Sequence, residues 1–526
     1  MKRPLKRSLK QMLEYEFESH DEMIECAGIA GEMLSSTIAK IATLYLKNDK
    51  AWVIGFSGGK DSTVILSLIF QALTTLNKKQ LNKKVYVVCS DTLVETPVVV
   101  GLIRDVLNDV QESANKKGLP IITQMVVPEV SETFWSNLLG KGYPAPTKSF
   151  RWCTERMKIK PVSAFIQSTV SNHGEVIVAL GSRKQESASR AQSIAKHSIK
   201  GSELSRHSSL PNAFTYMPIE DWHVDDVWVY LLSAPSPWGG SNEQLFELYK
   251  GSNQGECPIV IDKTTPSCGN SRFGCWTCTV VTKDRAIHGL IESGEDWMKP
   301  LLAFRDELHF STLPENKAKY RNHKRRTGKI DFQKKYIKGE GRSDEIELNT
   351  EGIGKNIPGP YWLDVRKKWL KNLLEIEKYI KENGKTIDLI TREELHIIRR
   401  EWIADPNEPD WEDSLPKIYQ EVYPDDEIIW AANDLGFFGE EGLNSVIQAG
   451  QEVDISPELL KKVIDVEVEV SGLGNRRGIT NKIESILKQD WESVEVVFDK
   501  KIKNDNTTNT FKNKRDDFKS MLGEFN

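Results

Sequence analysis

Six consecutive residues near the start of the chain bring together two glycines, a lysine, an aspartate and two serines. They are Ser57, Gly58, Gly59, Lys60, Asp61 and Ser62. Neither glycine carries a Cβ atom, so the backbone can turn tightly there and approach a ligand closely. If a helix starts at this turn, its free amide N–H groups and its dipole attract an anion. The pattern therefore predicts a phosphate site with Lys60 and Asp61 as catalytic residues, and the alternative is a structural glycine turn.

The flanking residues predict the elements that position this loop. Residues 51–54 are apolar and predict a short strand, and residues 64–70 can continue as a helix. A Walker-type loop has two glycines separated by four residues before Lys-Ser/Thr, and this spacing is absent. We therefore do not expect ordinary cleavage of a γ-phosphate. We expect Lys60 on the solvent side of the loop, where it neutralises charge on a bound phosphate.

Further candidate residues follow two other predicted strands, residues 84–89 and residues 175–181. The candidates are Ser90, Asp91, Gly181, Arg183 and Arg190. Arginine can bind an oxyanion through two parallel N–H···O hydrogen bonds. Arg183 and Arg190 therefore suit a phosphate and are expected to be catalytic. The alternative for these two arginines is the charged, solvated face of a helix.

Strands and helices alternate along residues 49–235. Residues 120–127 predict another strand, and residues 96–115 predict a helix with a proline in its first turn. The alternation predicts an α/β fold with a doubly wound, mainly parallel sheet. Ligands of such sheets bind beyond the carboxyl ends of the strands, where the candidate residues would meet.

A chain of 526 residues is too long for one core, so we expect several domains. The predicted divisions are an N-terminal helical segment 1–48, an α/β domain 49–235, a cysteine-rich segment 236–310, a basic segment 311–345, a mainly helical accessory region 346–495 and a polar tail 496–526. The tail is rich in Lys, Asn, Asp and Thr and is expected to be loose. No apolar run approaches the ~20 residues of a membrane span, so we expect a cytoplasmic protein without a membrane partner.

Four of the seven cysteines fall within residues 257–278. In a long chain that is expected to be cytosolic, cysteines favour metal binding or catalysis over a disulfide framework. The C-x2-C spacing of Cys275 and Cys278 lets two thiolates reach one metal centre. The spacing alone leaves zinc and an iron–sulfur cluster open. Cys89 is expected to be an apolar strand residue.

A basic run stands out from a chain whose net charge is -5. Residues 317–338 hold ten lysines and arginines against one acid, with aromatic residues between them. Such a run can track a nucleic-acid backbone, because each neutralised phosphate adds affinity. The run predicts a DNA partner, and the alternative is a solvated basic loop.

The loop S-G-G-K-D-S resembles the SGGxDS loop of the PP-loop ATP pyrophosphatases, which cleave ATP between its α and β phosphates. Residues 181–187 are similar to the GxRxxES element of the PAPS reductase branch of that family, and residues 153–161 resemble its C-C-x-x-x-K-x-x-P element, with Thr154 in place of the second cysteine. The resemblance implies ATP, with Mg²⁺ on its phosphates. It also makes Ser90 and Asp91 candidate contacts to adenosine.

Residues 274–279 are similar to the GCxxCT element that helps to hold a 4Fe-4S cluster in adenylylsulfate reductases. The resemblance implies such a cluster in this chain, and zinc stays the alternative. The expected ligands are Cys153, Cys268, Cys275 and Cys278. Cys257 is the reserve ligand, and an open fourth iron position is the other possibility.

Several longer strings closely resemble the DndC family of sulfurtransferases, which act in bacterial DNA phosphorothioation. They lie mainly within residues 56–97, 133–156, 187–190 and 272–276. The resemblance implies an enzyme that replaces a non-bridging oxygen of the DNA backbone with sulfur. Its implied partners are DNA, a cysteine desulfurase as sulfur donor and other proteins of the phosphorothioation system.

Two other functions are open at this point. A PAPS or adenylylsulfate reductase of this branch uses a late cysteine as nucleophile, and the sequence has no cysteine after Cys278. A nucleotide-regulated DNA-binding protein with structural zinc would bind ATP without cleaving it. Analysis of iron, sulfide and zinc in anaerobically purified protein separates these alternatives.

Overall fold

The computed structural model describes residues 28–199, 201–233, 235–251, 274–337, 341–405, 407–431, 439–453, 455–470 and 478–523. The chain divides into two compact units. The first unit comprises Met1–Phe134, Pro146–His309 and Ile380–Leu389. The second unit comprises Trp135–Ala145, Phe310–Tyr379 and Ile390–Asn526.

A six-stranded sheet forms the centre of the first unit. Its strands are β1 Ala51–Gly55, β2 Val85–Ser90, β3 Ile121–Val126, β4 Val176–Ala179, β5 Leu204–Arg206 and β6 Ala213–Tyr216. The spatial order is β3-β2-β1-β4-β6-β5, and every neighbouring pair is parallel except the antiparallel pair of β5 and β6. The order reverses between β1 and β4, which makes the carboxyl end of β1 the topological switch point where ligands bind in such sheets.

Helices cover both faces of this sheet. They are α1 Gly28–Lys47, α2 Lys60–Thr74, α3 Pro97–Lys117, α4 Lys160–His173, α5 Ala188–His197, α6 Val224–Ser233, α7 Glu243–Gly251, α8 Arg285–Glu292 and α9 Lys299–Phe310. Proline at the first position favours the start of α3, and Gly118 ends it with φ 67°. A π-helical turn over Thr154–Ile159 leads directly into α4.

The core of the first unit lies on the two faces of the sheet. All five residues of β1 and all four of β4 are buried, as parallel strands covered by helices on both faces require. Almost every residue of α2 is buried as well, because this helix packs between the sheet and other helices. The loop between β1 and α2 is therefore attached to the most rigid part of the unit.

The second unit is mainly helical. Its elements are a π-helical turn Ser136–Gly140, α10 Lys317–Tyr320, β7 Lys334–Ile337, β8 Gly341–Ile346, α11 Leu363–Glu382, α12 Arg392–Ile403, α13 Ser414–Val422, α14 Gly439–Glu452, α15 Pro457–Val470, α16 Ile479–Leu487 and α17 Val494–Gly523. The Trp402 indole donates to the Leu139 carbonyl at 2.7 Å, and the buried Arg366 donates to the Gly140 carbonyl at 2.7 Å. These bonds hold residues 135–145 inside this unit.

The predicted fold class is confirmed, and all four predicted strands of the sheet are present. The strands β5 and β6 were not predicted, since each is only three or four residues long. The expectation of a loose tail is wrong, because α17 continues as a helix through Gly523. In the described part of the chain, no helix is both long and apolar enough to cross a membrane.

Some residues of the basic run at 317–338 form hydrogen bonds and ion pairs within the second unit. Lys338 lies outside the described residues. Arg321 donates to the carbonyls of Pro358 and Gly359 at 2.6 and 2.7 Å. Lys335 pairs with Glu345 at 2.8 Å. Part of this positive charge therefore stabilises the local fold, and the DNA contact stays a prediction.

Candidate active site

The glycine loop joins β1 to α2 at the switch point of the sheet. The Ser62 hydroxyl donates to the Gly59 carbonyl at 2.8 Å and accepts the Ser57 N–H at 3.2 Å, so the two serines close the turn. Gly58 has φ 70°, and a Cβ atom there would lie 2.6 Å from the Ile103 side chain. Both observations require glycine at position 58. The loop is thus a preformed turn at a helix N-terminus, as expected for a phosphate site.

Two buried cations meet one carboxylate at the start of α2. Arg183 Nε donates to Asp61 Oδ1 at 2.6 Å, and Lys60 Nζ lies 3.2 Å from Asp61 Oδ2. The residues Lys60 and Arg183 are each only 2% exposed. The expectation that Lys60 lies on the solvent side is therefore wrong, because its ammonium group is drawn inward to Asp61. Three predicted catalytic residues are brought together here.

Gly181 allows this close approach. A Cβ atom at position 181 would lie 3.0 Å from Asp61, so a larger residue would push the end of β4 away from the start of α2. The Arg183 N–H also donates to Glu186 Oε1 at 2.9 Å. The end of β4 is thereby fixed against the start of α2.

Arg190 belongs to the same network through one shared carboxylate. Ser187 caps the N-terminus of α5 by accepting the Arg190 N–H at 3.2 Å. The buried Arg190 guanidinium donates to Glu186, which also accepts the N–H of Arg183. Arg190 and Arg183 are therefore linked through Glu186. Direct contact of Arg190 with a phosphate stays a prediction.

Ser90 and Asp91 lie where β2 ends, beside the glycine loop. The Ser90 hydroxyl donates to the Met157 carbonyl at 2.9 Å. Asp91 Oδ1 accepts the N–H of Leu93 at 2.9 Å, and Leu93 has φ 63°. These side chains therefore shape the segment that follows β2, and their contact with adenosine stays a prediction.

Three cysteines gather around the segment that follows β2. Glu95 and Cys275 form an isolated antiparallel bridge, and the Thr92 hydroxyl lies 3.3 Å from the Cys275 sulfur. The Cys278 N–H donates to the Cys275 carbonyl at 3.0 Å, which closes the C-x2-C turn. Cys153 interacts electrostatically with both thiols. The predicted ligands Cys153, Cys275 and Cys278 thus share one region.

Burial controls the protonation of these thiols. The pKa of Cys153 is raised to about 11, mainly by burial and to a smaller extent by the charge of Cys278, whereas Lys158 opposes the rise. Burial also raises the pKa of Cys275 above its ordinary range. Lys158 lies 3.3 Å from Glu95 Oε1, so its ammonium group stands close to the thiols. Without a bound cation, Cys153 and Cys275 are neutral at pH 7.

A buried arginine forms hydrogen bonds to the C-x2-C turn and to the residues that follow it. Arg305 is fully buried, and it donates to the carbonyls of Cys278 and Thr282 at 2.9 Å each. It also pairs with Asp306 at 2.7 Å. Sequence reasoning missed Arg305, because a lone arginine within a helical pattern gives no local signal of a buried role.

The donor set suits an iron–sulfur cluster better than an oxygen-liganded metal. Thiolates are the ligands of such clusters, and a bound metal deprotonates a coordinating thiol despite a raised pKa. Within the described residues, no group of three or more Cys, His, Asp or Glu side chains stands at metal-binding distance. Cys268 and Cys257 lie outside those residues, so the predicted fourth ligand is not placed. Cys89 is a buried core residue of β2, as predicted.

A tyrosine distant in sequence completes the surroundings of the loop. The Lys60 N–H donates to the Tyr249 hydroxyl of α7 at 3.3 Å. Beside it lies a cavity of about 340 Å³, lined by the loop, by apolar residues of α3 together with Asp105 and Asp109, by Ser236, by residues 238–245 and by Tyr249. Lys60 and Tyr249 are 189 positions apart in the sequence, which explains why no local pattern predicted this contact.

The fold and the loop together define a class of protein. A glycine loop follows the central strand of a mainly parallel sheet, and a buried arginine from the neighbouring strand end reaches the start of the next helix. This arrangement is the PAPS reductase-like PP-loop fold, followed in this chain by a helical C-terminal region.

The family comparison agrees with this class. Residues 51–281 match the family described as phosphoadenosine phosphosulfate reductase domain. The matched span contains the glycine loop, Arg183, Arg190 and the three gathered cysteines. This part of the chain is therefore similar to a phosphoadenosine phosphosulfate reductase domain.

Two uncharacterised proteins of Methanocaldococcus jannaschii are similar to the chain. One is 29% identical over 231 residues, which are 44% of this chain and 42% of that protein. The other is 26% identical over 244 residues, which are 46% of this chain and 45% of that protein. The chain thus spans less than half the length of these curated relatives.

Two solved structures also resemble the chain. The crystal structure of a phosphoadenylyl-sulfate reductase from Candida auris, in a phosphate complex, is 16% identical, covers 45% of this chain and 87% of its own, and has a TM-score of 0.25. The U34-tRNA thiolase NcsA from Methanococcus maripaludis, with its [4Fe-4S] cluster, is 14% identical, covers 53% and 78%, and also has a TM-score of 0.25. These TM-scores are too low for either structure to bear on the chemistry of this chain.

Proposed function

We propose that the chain is an ATP-dependent sulfurtransferase that modifies DNA. It cleaves ATP to AMP and pyrophosphate and replaces a non-bridging oxygen of the DNA backbone with sulfur. The proposal combines the PP-loop enzyme class with the gathered thiols and with the resemblance to the phosphorothioation sulfurtransferases.

One observation carries the proposal: the segment that follows β2 borders both the glycine loop and the thiols. At its start, β2 pairs with β1, and the Phe56 N–H donates to the Val88 carbonyl at 2.9 Å. At its end, the Trp276 N–H donates to Val94 and the Thr96 N–H donates to Gly274, both at 3.0 Å. A nucleotide on the loop would therefore lie next to the sulfur ligands.

The first step is activation of the backbone phosphate. A phosphodiester oxygen attacks the α-phosphorus of ATP, and the bond from that phosphorus to pyrophosphate breaks. Lys60, Arg183 and the first amides of α2 offset the negative charge that the two reactants bring together. Mg²⁺ on the ATP phosphates would neutralise further charge. Asp61 holds both cations at the helix N-terminus.

The second step is replacement of oxygen by sulfur. Sulfide attacks the activated backbone phosphorus, and the bond from that phosphorus to the AMP oxygen breaks. AMP leaves with the original oxygen, the sulfur stays on the phosphorus, and no atom changes its oxidation state. A 4Fe-4S cluster held by Cys153, Cys275 and Cys278 alone, which is the alternative with an open fourth iron position, would supply iron at which sulfide is held at high effective concentration.

The products test the proposal. Anaerobically purified protein is incubated with ATP, Mg²⁺, plasmid DNA, cysteine, a cysteine desulfurase and a thiol reductant, which reduces the persulfide sulfur of the desulfurase to sulfide. We expect AMP and pyrophosphate, and phosphorothioate-linked dinucleotides in the nuclease digest by mass spectrometry. ADP and inorganic phosphate as products would contradict the assignment of the loop.

A pair of cysteine variants separates the two steps. Cys153→Ala should lose iron and sulfur incorporation but keep ATP cleavage, because Cys153 interacts with the other thiols. Cys89→Ala is the matched control, since its thiol is buried in β2 away from this region. Full incorporation by Cys153→Ala, or loss of iron in Cys89→Ala, would show that the ligand assignment is wrong.

The family match also favours a second candidate, a reductase of the PAPS or adenylylsulfate type. Such an enzyme would release sulfite from a sulfonucleotide and would need no DNA. Incubation with adenylylsulfate or its 3′-phosphorylated form and a thiol reductant tests it directly. Sulfite release without DNA modification would replace the sulfurtransferase assignment.

A further inference from the structure

The Tyr249 hydroxyl lies at the N-terminus of α2, which is the end of the helix that is proposed to bind phosphate. Lys60 is the first residue of that helix, and its N–H donates to the Tyr249 hydroxyl at 3.3 Å. The first N–H groups of a helix have no partner within the helix and are the groups that bind a phosphate oxygen. The tyrosine oxygen therefore accepts a hydrogen bond that an incoming phosphate needs.

Packing on α6 fixes the position of the tyrosine ring. The Tyr249 ring meets the buried Trp228 edge-on, with 5.0 Å between centroids and 79° between planes. Phe246, one turn earlier in α7, meets the same indole at 5.5 Å. Lys60 Nζ lies 5.5 Å from the centre of the Tyr249 ring, which adds a cation–π contact. The hydroxyl is thus held at the loop by a specific arrangement of side chains.

The space beside the ring gives it somewhere to move. The cavity of about 340 Å³ is bounded by Tyr249 itself, by Gly58 and Gly59 of the loop, and by Trp238 and Leu245. A rotation of the phenol ring into this cavity would free the Lys60 N–H without repacking of the sheet. The weak bond of 3.3 Å makes such an exchange inexpensive in energy.

We infer that Tyr249 is a built-in competitor for the phosphate site. Its hydroxyl accepts the hydrogen bond of the Lys60 N–H while no phosphate is bound. Pyrophosphate or the phosphates of ATP then displace the hydroxyl and accept this hydrogen bond instead. The inference rests on the proposed binding of ATP at this loop. On this inference, Tyr249 of α7 acts as a gate: its hydrogen bond stabilises the conformation of the empty loop and lowers the affinity of the loop for phosphates.

Removal of one hydroxyl tests the competition. Tyr249→Phe keeps the ring and its contact with Trp228 but cannot accept the Lys60 N–H. We expect this variant to bind inorganic pyrophosphate about two- to tenfold more tightly than the wild type by isothermal titration calorimetry, which is the worth of one hydrogen bond. Equal or weaker binding by Tyr249→Phe would overturn the inference.

Tyr230→Phe is the matched control. The Tyr230 hydroxyl accepts the Gln71 amide at 3.1 Å, away from the glycine loop. We expect its affinity for pyrophosphate to stay within twofold of the wild type. If Tyr230→Phe also tightened binding, the gain in Tyr249→Phe would be a general effect of tyrosine removal, and the inference would fail.

A second measurement follows the ring directly. Tetranitromethane nitrates exposed tyrosines, and peptide mass spectrometry locates each modification. We expect pyrophosphate to increase the nitration of Tyr249 and to leave the nitration of Tyr230 unchanged. If pyrophosphate instead protected Tyr249 from nitration, the ring would remain at the loop, and the inference would be refuted. If the wild type bound neither pyrophosphate nor ATP, the proposed function itself would fail, which distinguishes the two failures.

Discussion

Replacement of Asp61 by asparagine should strongly destabilise the first unit. Asp61 is the carboxylate that pairs with both Lys60 and Arg183, at 3.2 and 2.6 Å. The side chains of these two cations are only 3% and 2% exposed, so water cannot replace the lost charge. Asp61→Asn keeps the size of the side chain and removes only its charge. The variant therefore removes the charge of the carboxylate that both buried cations contact.

The expected loss is about 3–5 kcal/mol of unfolding free energy, the usual cost of removing one partner of a buried ion pair. The matched control is Glu112→Gln, which breaks the pair of Glu112 with Lys116 on α3. Both side chains of that pair are more than two-thirds exposed, at 71% and 77%. The control should therefore lose less than about 0.5 kcal/mol.

The assay is urea unfolding of the full chain, with hydrogen exchange of peptides from α2 to report on the first unit. Asp61→Asn should lower the urea midpoint and speed exchange at the start of α2. Pyrophosphate should restore part of the lost stability, because an anion on the loop would replace the missing carboxylate. A loss below about 1 kcal/mol would refute the claim that this network is a buried, paired structure.

Three further predictions concern other parts of the molecule. Gly58→Ala should weaken pyrophosphate binding at least tenfold, because φ 70° and the contact with Ile103 both exclude a Cβ atom; calorimetry measures it. Arg305→Lys should lower the unfolding free energy by about 2–4 kcal/mol and reduce the iron content, because the carbonyls of Cys278 and Thr282 lose their donors; urea unfolding and iron analysis measure these changes. Burial raises the pKa of Glu408 from 4.5 to about 7, so the folded chain holds this proton more tightly, and stability from this group is lost as the pH rises from 4.5 through 7. Glu408→Gln should remove that fall, which is at most about 3 kcal/mol, in unfolding curves recorded at several pH values.

Each of these predictions has its own control. Gly101→Ala has open space around its added Cβ atom and should bind pyrophosphate like the wild type. Unchanged iron content in Arg305→Lys would mean that the C-x2-C turn holds its shape without the buried guanidinium. A Glu408→Gln variant with the same pH dependence as the wild type would show that other groups cause it.

Local sequence patterns determined the elements that surround the loop. The apolar run before the glycines, the glycines themselves and the apolar run after them specify strand, turn and helix, because each depends only on near neighbours. The strands β2, β3 and β4 followed from continuous apolar stretches, as buried parallel strands require. The same local information predicted a phosphate site at the glycine loop and a metal-binding role for the C-x2-C pair.

Sequence spacing could not reveal which distant side chains pair with these elements. Arg183 lies 122 residues from Asp61, and only the parallel pairing of β4 with β1 brings the two together. The burial of Lys60 has the same origin, since an isolated loop lysine prefers water, whereas in the folded unit its ammonium group lies 3.2 Å from the carboxylate of Asp61. The helical tail α17 was also missed, because its polar composition carries little helical periodicity.

The sequence by itself therefore determined which groups are available for chemistry: a glycine loop that is predicted to bind phosphate and a set of thiols that is predicted to bind a metal centre. The tertiary structure decided how that chemistry is arranged. It committed Lys60 and Arg183 to Asp61, placed the Tyr249 hydroxyl on the loop, and joined the loop to the thiols through the segment after β2. The physical reason is that residue type and local spacing act over a few residues, whereas burial and pairing of charges depend on packing across the whole unit.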